Sequence, residues 1–69
     1  MNTPVYGIFN VTKGRFVIDG DSDSDPQLVF QTTDETFAHL AMRRVAEIDH
    51  MAAILKKRQP NTYTIRELK

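Results

Sequence analysis

From Thr33 to Arg58 the chain contains neither glycine nor proline. Alanine, leucine, methionine, glutamate, lysine and arginine dominate this stretch, and all favour helix. Phe37, Ala41, Val45, Ile48, Ala52 and Leu55 recur at three- and four-residue steps, which predicts one apolar stripe facing a core. Pro60 and Asn61 stop the run. At its start, Thr32 with Glu35 three residues on fits a capping box. A helix of this length would span about 39 Å. Strands of ordinary length reach only about 17–20 Å, so the helix should overhang, bend or cross whatever sheet it packs on. An overhang would leave Ile48, Met51, Ile54 and Leu55 uncovered unless another chain meets them.

The rest of the sequence supplies strands. Val5 to Asn10 and Arg15 to Asp19 are apolar and β-prone, and "VTKG" between them places Gly14 where a left-handed turn residue belongs. Pairing Val11 with Arg15 sets Asn10 against Phe16 and Ile8 against Ile18. Tyr6, Ile8, Phe16 and Ile18 would then share one face, with Val5, Gly7, Phe9, Val11, Arg15 and Val17 on the other. Leu28 to Phe30 reads as a short third strand. "TYTIREL" reads as a last one, with Tyr63 and Ile65 on one face. The expected fold is α+β: a β-β-β-α-β order with a three- or four-stranded, mostly antiparallel sheet and one long helix on one face. If the third and last strands were parallel neighbours, the helix would form a right-handed crossover.

At 69 residues the chain reads as one domain, residues 1–69. A domain so small buries little of its surface and commonly needs disulfides, a metal or self-association. Cysteine is absent, which excludes the first and any thiolate metal site. No apolar run reaches the roughly 20 residues of a membrane helix, and the start lacks a signal-peptide pattern. These readings predict a cytoplasmic protein with no membrane partner.

Net charge is zero, but residues 1–35 carry two basic and six acidic side chains, and residues 36–69 seven and three. The acidic run "DGDSDSDP", Asp19 to Pro26, resembles a calcium loop only in part. Counted from Asp19, the glycine position holds Ser24 and the bidentate glutamate position holds Phe30. No metal or cofactor is expected. The run reads as a solvated connection, with an irregular, weak calcium site and an acidic patch for a basic protein surface as its alternatives. His39 and His50 lie roughly 16 Å apart along a helix, too far to share a metal. With Glu35, Arg43, Glu47 and Lys57 they form a solvated stripe. No nucleophile–base pair or phosphate loop is present, so no enzyme activity is expected. Arg43, Lys56, Lys57 and Arg58 could contact phosphate, which makes a nucleic-acid-binding protein the alternative function. The positive charge at the helix end also complements the helix dipole.

Arg44 falls at the centre of the apolar stripe, flanked by Phe37, Leu40, Ala41, Ile48 and Met51. Burying it unpaired would be costly. It must snorkel, pair with Asp19 or Glu67, or face a partner. The sheet face away from the helix would display Val5, Phe9, Val11 and Val17 with no second layer to cover them. These four and Arg44 are therefore the expected protein-binding residues. The chain is expected to be a non-enzymatic protein-binding module, homodimeric or bound to another protein.

"YGIFNVTKGRF", "VFQTTDETFAHLAMRR" and "TYTIREL" together resemble small orphan proteins encoded by phages and prophages. These share a glycine-closed hairpin, a strand ending in "F-x-T" before a helix, and a final "Y-x-I" strand. The resemblance implies an accessory or inhibitor protein acting by contact with a host or defence protein. It carries over no functional residue.

Overall fold

A computed structural model describes residues 3–18 and 29–68. Its elements are β1 (Val5–Asn10), β2 (Arg15–Phe16), α1 (Glu35–Lys56) and β3 (Tyr63–Leu68). The sheet order is β2-β1-β3, with both pairings antiparallel, and α1 packs on one face through β1 and β3. The α+β architecture expected from the sequence is present, built on three strands.

β1 is central because its alternation serves both layers. Tyr6, Ile8 and Asn10 face α1. Ile8 lies opposite Ile65 and Asn10 opposite Tyr63, so Tyr63 and Ile65 share the helix side. Val45 of α1 closes one cleft with Asn10, Val17 and Tyr63. Ile8 is 1% exposed and is the one large side chain fully enclosed among the described residues. Ala38 and Ala53 of α1 are also buried, so the described core is thin.

The hairpin register differs by one residue from the Val11–Arg15 expectation. The pairs are Asn10–Arg15 and Phe9–Phe16, and the Val17 N–H donates to the Ile8 carbonyl at 2.8 Å. Asn10 sets this register. Its Oδ1 accepts the Lys13 N–H at 3.0 Å, and its carbonyl accepts the Gly14 N–H at 2.8 Å. The loop is thereby fixed as Val11 to Gly14, with Gly14 left-handed at φ 69°. A slip of one residue exchanges the faces of a strand. Arg15 and Val17 thus lie on the helix side, and Phe16 joins Phe9 on the open side. The expected open-face placement of Val17 is corrected accordingly, whereas those of Val5, Gly7 and Phe9 stand.

Leu28 to Phe30 does not form the expected third strand in its described part. Val29 bridges Ile18, and Thr32 bridges Tyr6. The Phe30 N–H donates to the Val17 carbonyl at 3.1 Å, and Tyr6 and Thr32 exchange two bonds of 2.8 and 3.0 Å. The segment passes from Val17 and Ile18, just beyond β2, to Tyr6 in β1, with one bridge at each end, so no ladder propagates. Among the described residues β3 has β1 as its sheet neighbour, so the parallel pairing of the third and last strands does not occur there.

Both helix ends are also fixed differently. Asp34, not Thr32, is the N-cap: its carboxylate accepts the Phe37 N–H at 3.2 Å. Thr32 Oγ1 instead accepts the Asp34 N–H at 3.1 Å, one step earlier. At the other end Lys57 turns left-handed, at φ 54° and ψ 47°. The Arg58 N–H then reaches the Ala53 carbonyl at 2.9 Å, closing the last turn as C-terminal caps do. The continuous helix of 22 residues is roughly 33 Å long.

The largest departure is the rotation of α1. Its sheet side carries Ala38, Ala41, Met42, Val45, Ala46, Asp49, Ala52 and Ala53, all buried or half-buried. Of the predicted core stripe, Phe37, Ile48 and Leu55 are exposed. The expected stripe had merged two neighbouring ones. Small residues allow close approach to a sheet whose helix side already presents Tyr6, Ile8, Tyr63 and Ile65. The larger side chains are left pointing away.

Gly7 has a packing reason. A Cβ there would lie 3.2 Å from Leu68 Cδ1 and 3.3 Å from Phe16 Cδ1. The missing side chain lets residues of the two flanking strands close over β1. Gly7→Val should destabilise the fold by about 1–3 kcal/mol through overpacking, read as a lower midpoint in urea. An unchanged midpoint would contradict this account.

Candidate protein-contact surface

The open sheet face covers itself more than its sequence implies. The Phe9 and Phe16 rings meet edge to face, with centroids 5.0 Å apart. The Arg66 guanidinium lies 3.9 Å from the Phe9 ring centroid, within cation–π range. Val5, Phe9 and Val17 are half-buried, and Val17 is on the other face. Val11 is exposed, but it sits in the hairpin loop. The five residues expected to bind protein are therefore not brought together. Val5 and Phe9 share one sheet face, while Arg44 lies on α1, the layer covering the opposite face.

The outer side of α1 presents what the sheet does not. Phe37, Leu40, Ile48, Met51, Ile54 and Leu55 are all more than half exposed, with Met51 at 66% and Leu55 at 84%. At about 100° per residue they form one stripe centred on Arg44, roughly 150° around the helix from the Ala38–Asp49–Ala53 line. Phe37 keeps one aromatic neighbour, Phe30, at 6.1 Å. The exposure includes Phe37 and Leu40 near the start of α1, so it follows from the rotation of the helix and not from an overhanging end. A shallow groove on this side is lined by Phe37, Leu40, Ala41, Arg43, Arg44 and Glu47.

Two opposite charges sit within the stripe. Arg44 and Glu47 are exposed. Among the described residues Arg58 pairs with Asp49 at 2.9 Å, and His39 Nε2 lies 3.9 Å from a Glu35 oxygen, so neither Arg44 nor Glu47 is engaged there. Of the pairings considered for Arg44, that with Glu67 is not made, and Asp19 lies outside the described residues.

Of the basic set considered for phosphate, Lys56, Lys57 and Arg58 lie together and exposed at the end of α1, and one of the three is engaged locally. The Arg58 guanidinium is held by Asp49 at 2.9 Å and by the Gln59 carbonyl at 3.0 Å. Lys57 occupies the left-handed cap. Arg43 lies roughly 20 Å back along the helix. Asp49 is the anchor of this region. It also accepts the Asn61 N–H at 2.7 Å and Nδ2 at 3.1 Å. The Arg58 bond, then that from the Asn61 backbone, hold its carboxyl below the ordinary value against the opposing effect of burial. Tyr6 is shifted the other way. Burial first, then the charges of Glu35 and Glu67, raise its phenol above the usual range.

Among the described residues, no group of three histidine, aspartate or glutamate side chains could hold a metal, and no helix is long and apolar enough to cross a membrane. The acidic run from Asp19 to Asp25, with the readings placed on it, lies outside the described residues. Compared with known proteins, the chain matches no family model, no curated protein and no solved structure.

The sequence signal for the outer face was present in Ile48, Met51, Ile54 and Leu55. It was obscured because Ala41, Val45 and Ala52, at neighbouring angles, extend the same apolar arc toward the sheet.

Proposed function

We propose that the protein acts by contact with another polypeptide through the outer face of α1, and not by chemistry on a small molecule. The observation that carries this reading is the exposed stripe of six large apolar side chains around Arg44. Monomeric proteins seldom leave a contiguous apolar surface of this kind open to water. The sheet face is the weaker candidate because Phe16 and Arg66 already pack on the Phe9 ring. A role in the cytoplasm as a phage- or prophage-type accessory or inhibitor protein fits such a surface and the pattern of the chain, with its target recognised through α1.

Affinity capture from a cell lysate tests the reading, using wild type beside Ile48→Lys and Leu55→Lys. Both variants should keep stability within about 0.5 kcal/mol, as surface substitutions do, and should lose the partner. Retention of the partner by both variants, or their unfolding, would remove this face from the function.

A further inference from the structure

We infer that the outer face of α1 docks on the same face of a second copy, antiparallel, about a two-fold axis level with Val45 and Ala46. This rests on the reading of that face as a protein contact and names its occupant. The stripe is self-complementary in charge. Arg44 and Glu47 stand one turn apart at its middle. Leu40 and Met51 come next on either side, then Phe37 and Ile54. A two-fold interface requires that if one residue meets another, the second also meets the first. Antiparallel pairing meets that condition in every layer: Phe37 against Ile54, Leu40 against Met51, Arg44 against Glu47, and each in reverse. Two ion pairs form at the centre, flanked on both sides by apolar layers.

Other registers are poorer. A parallel, in-register pair would set Arg44 on Arg44 and Glu47 on Glu47, and like charges juxtaposed in an interface are strongly unfavourable. An antiparallel pair slid by one residue would set Arg44 on Ile48 and leave both charges without partners in a drying interface. The steps from Phe37 through Leu40, Arg44, Glu47 and Met51 to Ile54 alternate three and four, the spacing that keeps one seam facing a second helix. Ala41, Ile48 and Leu55 run along one border of the seam and widen its apolar surface. The seam spans roughly 25 Å of helix. It faces away from the sheet, so the sheet does not obstruct the second copy. The thin described core, with Ile8, Ala38 and Ala53 as its buried apolar residues, gives the chain a stability reason to associate as well.

Sedimentation of the full chain over a range of concentration tests the inference, with Arg44→Glu, Glu47→Arg and the double swap. Wild type should pass from monomer to dimer as concentration rises. Each single variant places like charges in both central layers and should dimerise about tenfold or more weakly. The double variant restores both ion pairs in exchanged positions and should regain most of the wild-type affinity. A second measurement does not depend on charge. The chain has no native cysteine, so Leu40→Cys mixed with Met51→Cys should form a disulfide-linked heterodimer under mild oxidation. Leu40→Cys alone should not cross-link, its two copies being roughly 16 Å apart along the seam. A double swap no better than the single variants, or cross-linking of Leu40→Cys to itself, would overturn this register. A wild type that stays monomeric, yet binds another protein in a way lost on Met51→Lys, would overturn self-association and leave the contact surface standing. A monomer with no Met51-dependent partner would overturn both.

Discussion

Ile8→Ala should cost the fold about 2–5 kcal/mol, the range for truncating a buried aliphatic side chain. Ile8 is 1% exposed, in the middle of the central strand, where it faces α1. Its neighbours cannot readily collapse into the space it would leave. Ile65 is fixed opposite it by the β1–β3 ladder, and the helix residues above are mostly alanines, too short to fill a cavity. A chain of 69 residues has a total stability of roughly 3–10 kcal/mol, so this one truncation could unfold much of the population. Urea denaturation followed by circular dichroism would measure it. Ile48→Ala is the matched control. It removes the same kind of side chain from the outer face of α1 and should shift the midpoint little in the monomer. A larger loss at Ile48 than at Ile8 would mean that the helix presents its other stripe to the sheet.

That comparison also marks how far the sequence could be read. β1 was legible because its alternation is short and unambiguous: Tyr6 and Ile8 on one side, Val5, Gly7 and Phe9 on the other. Gly14 was legible because few residues besides glycine tolerate the left-handed turn it occupies. The helix was legible from composition alone. Its orientation was not, because apolar residues cover more than half of its circumference. Periodicity measures where the apolar arc lies, and it does not tell whether small or large members of that arc meet the sheet. The β2 register was lost for a different reason. Asn10 hydrogen-bonds the Lys13 and Gly14 amides and so starts the turn one residue earlier than the strand pattern implies. The N-cap shows the same kind of near miss. Thr32 and Asp34 are both capping residues, and only the chain path decides that Asp34 reaches Phe37 while Thr32 supports Asp34.

The outer face of α1 is therefore only half legible in the sequence. Arg44 reads there as a charge in an apolar stripe, but the pattern points to the sheet around Phe9 and Val17 as the open surface. A charge at the centre of a stripe is informative in itself. A helix face designed only for burial would exclude it, and Arg44 with Glu47 one turn on makes the face complementary to its own inverted copy. The two features that resisted a core interpretation, the misplaced arginine and the surplus of large side chains, have one explanation if that face is buried only on association.

Asp49→Ala should lower the melting temperature of the monomer at neutral pH, and by more than Ile48→Ala on the outer face of α1 does. Its carboxylate ties the end of the helix to the start of β3, binding the Arg58 guanidinium at 2.9 Å, the Asn61 N–H at 2.7 Å and the Asn61 side-chain amide at 3.1 Å. With it gone, the entry to β3 would be held by Thr62, whose N–H donates to Thr12 Oγ1 at 2.9 Å and whose carbonyl accepts the Val11 N–H at 2.8 Å. The sign of the pH dependence follows from the direction of the shift. The folded protein holds the Asp49 carboxyl below its ordinary value of 3.8, so the folded state binds this proton less readily than the unfolded chain does. The stabilisation is therefore fully present above that ordinary value and is lost as pH falls through the lower, folded value. Melting curves of wild type and Asp49→Asn, recorded at about pH 7 and again well into acid, should converge at the acid end as far as this group is concerned. A gap of equal size at both ends would mean that Asp49 acts by shape and neutral hydrogen bonding, and that its charge contributes nothing to the turn between α1 and β3.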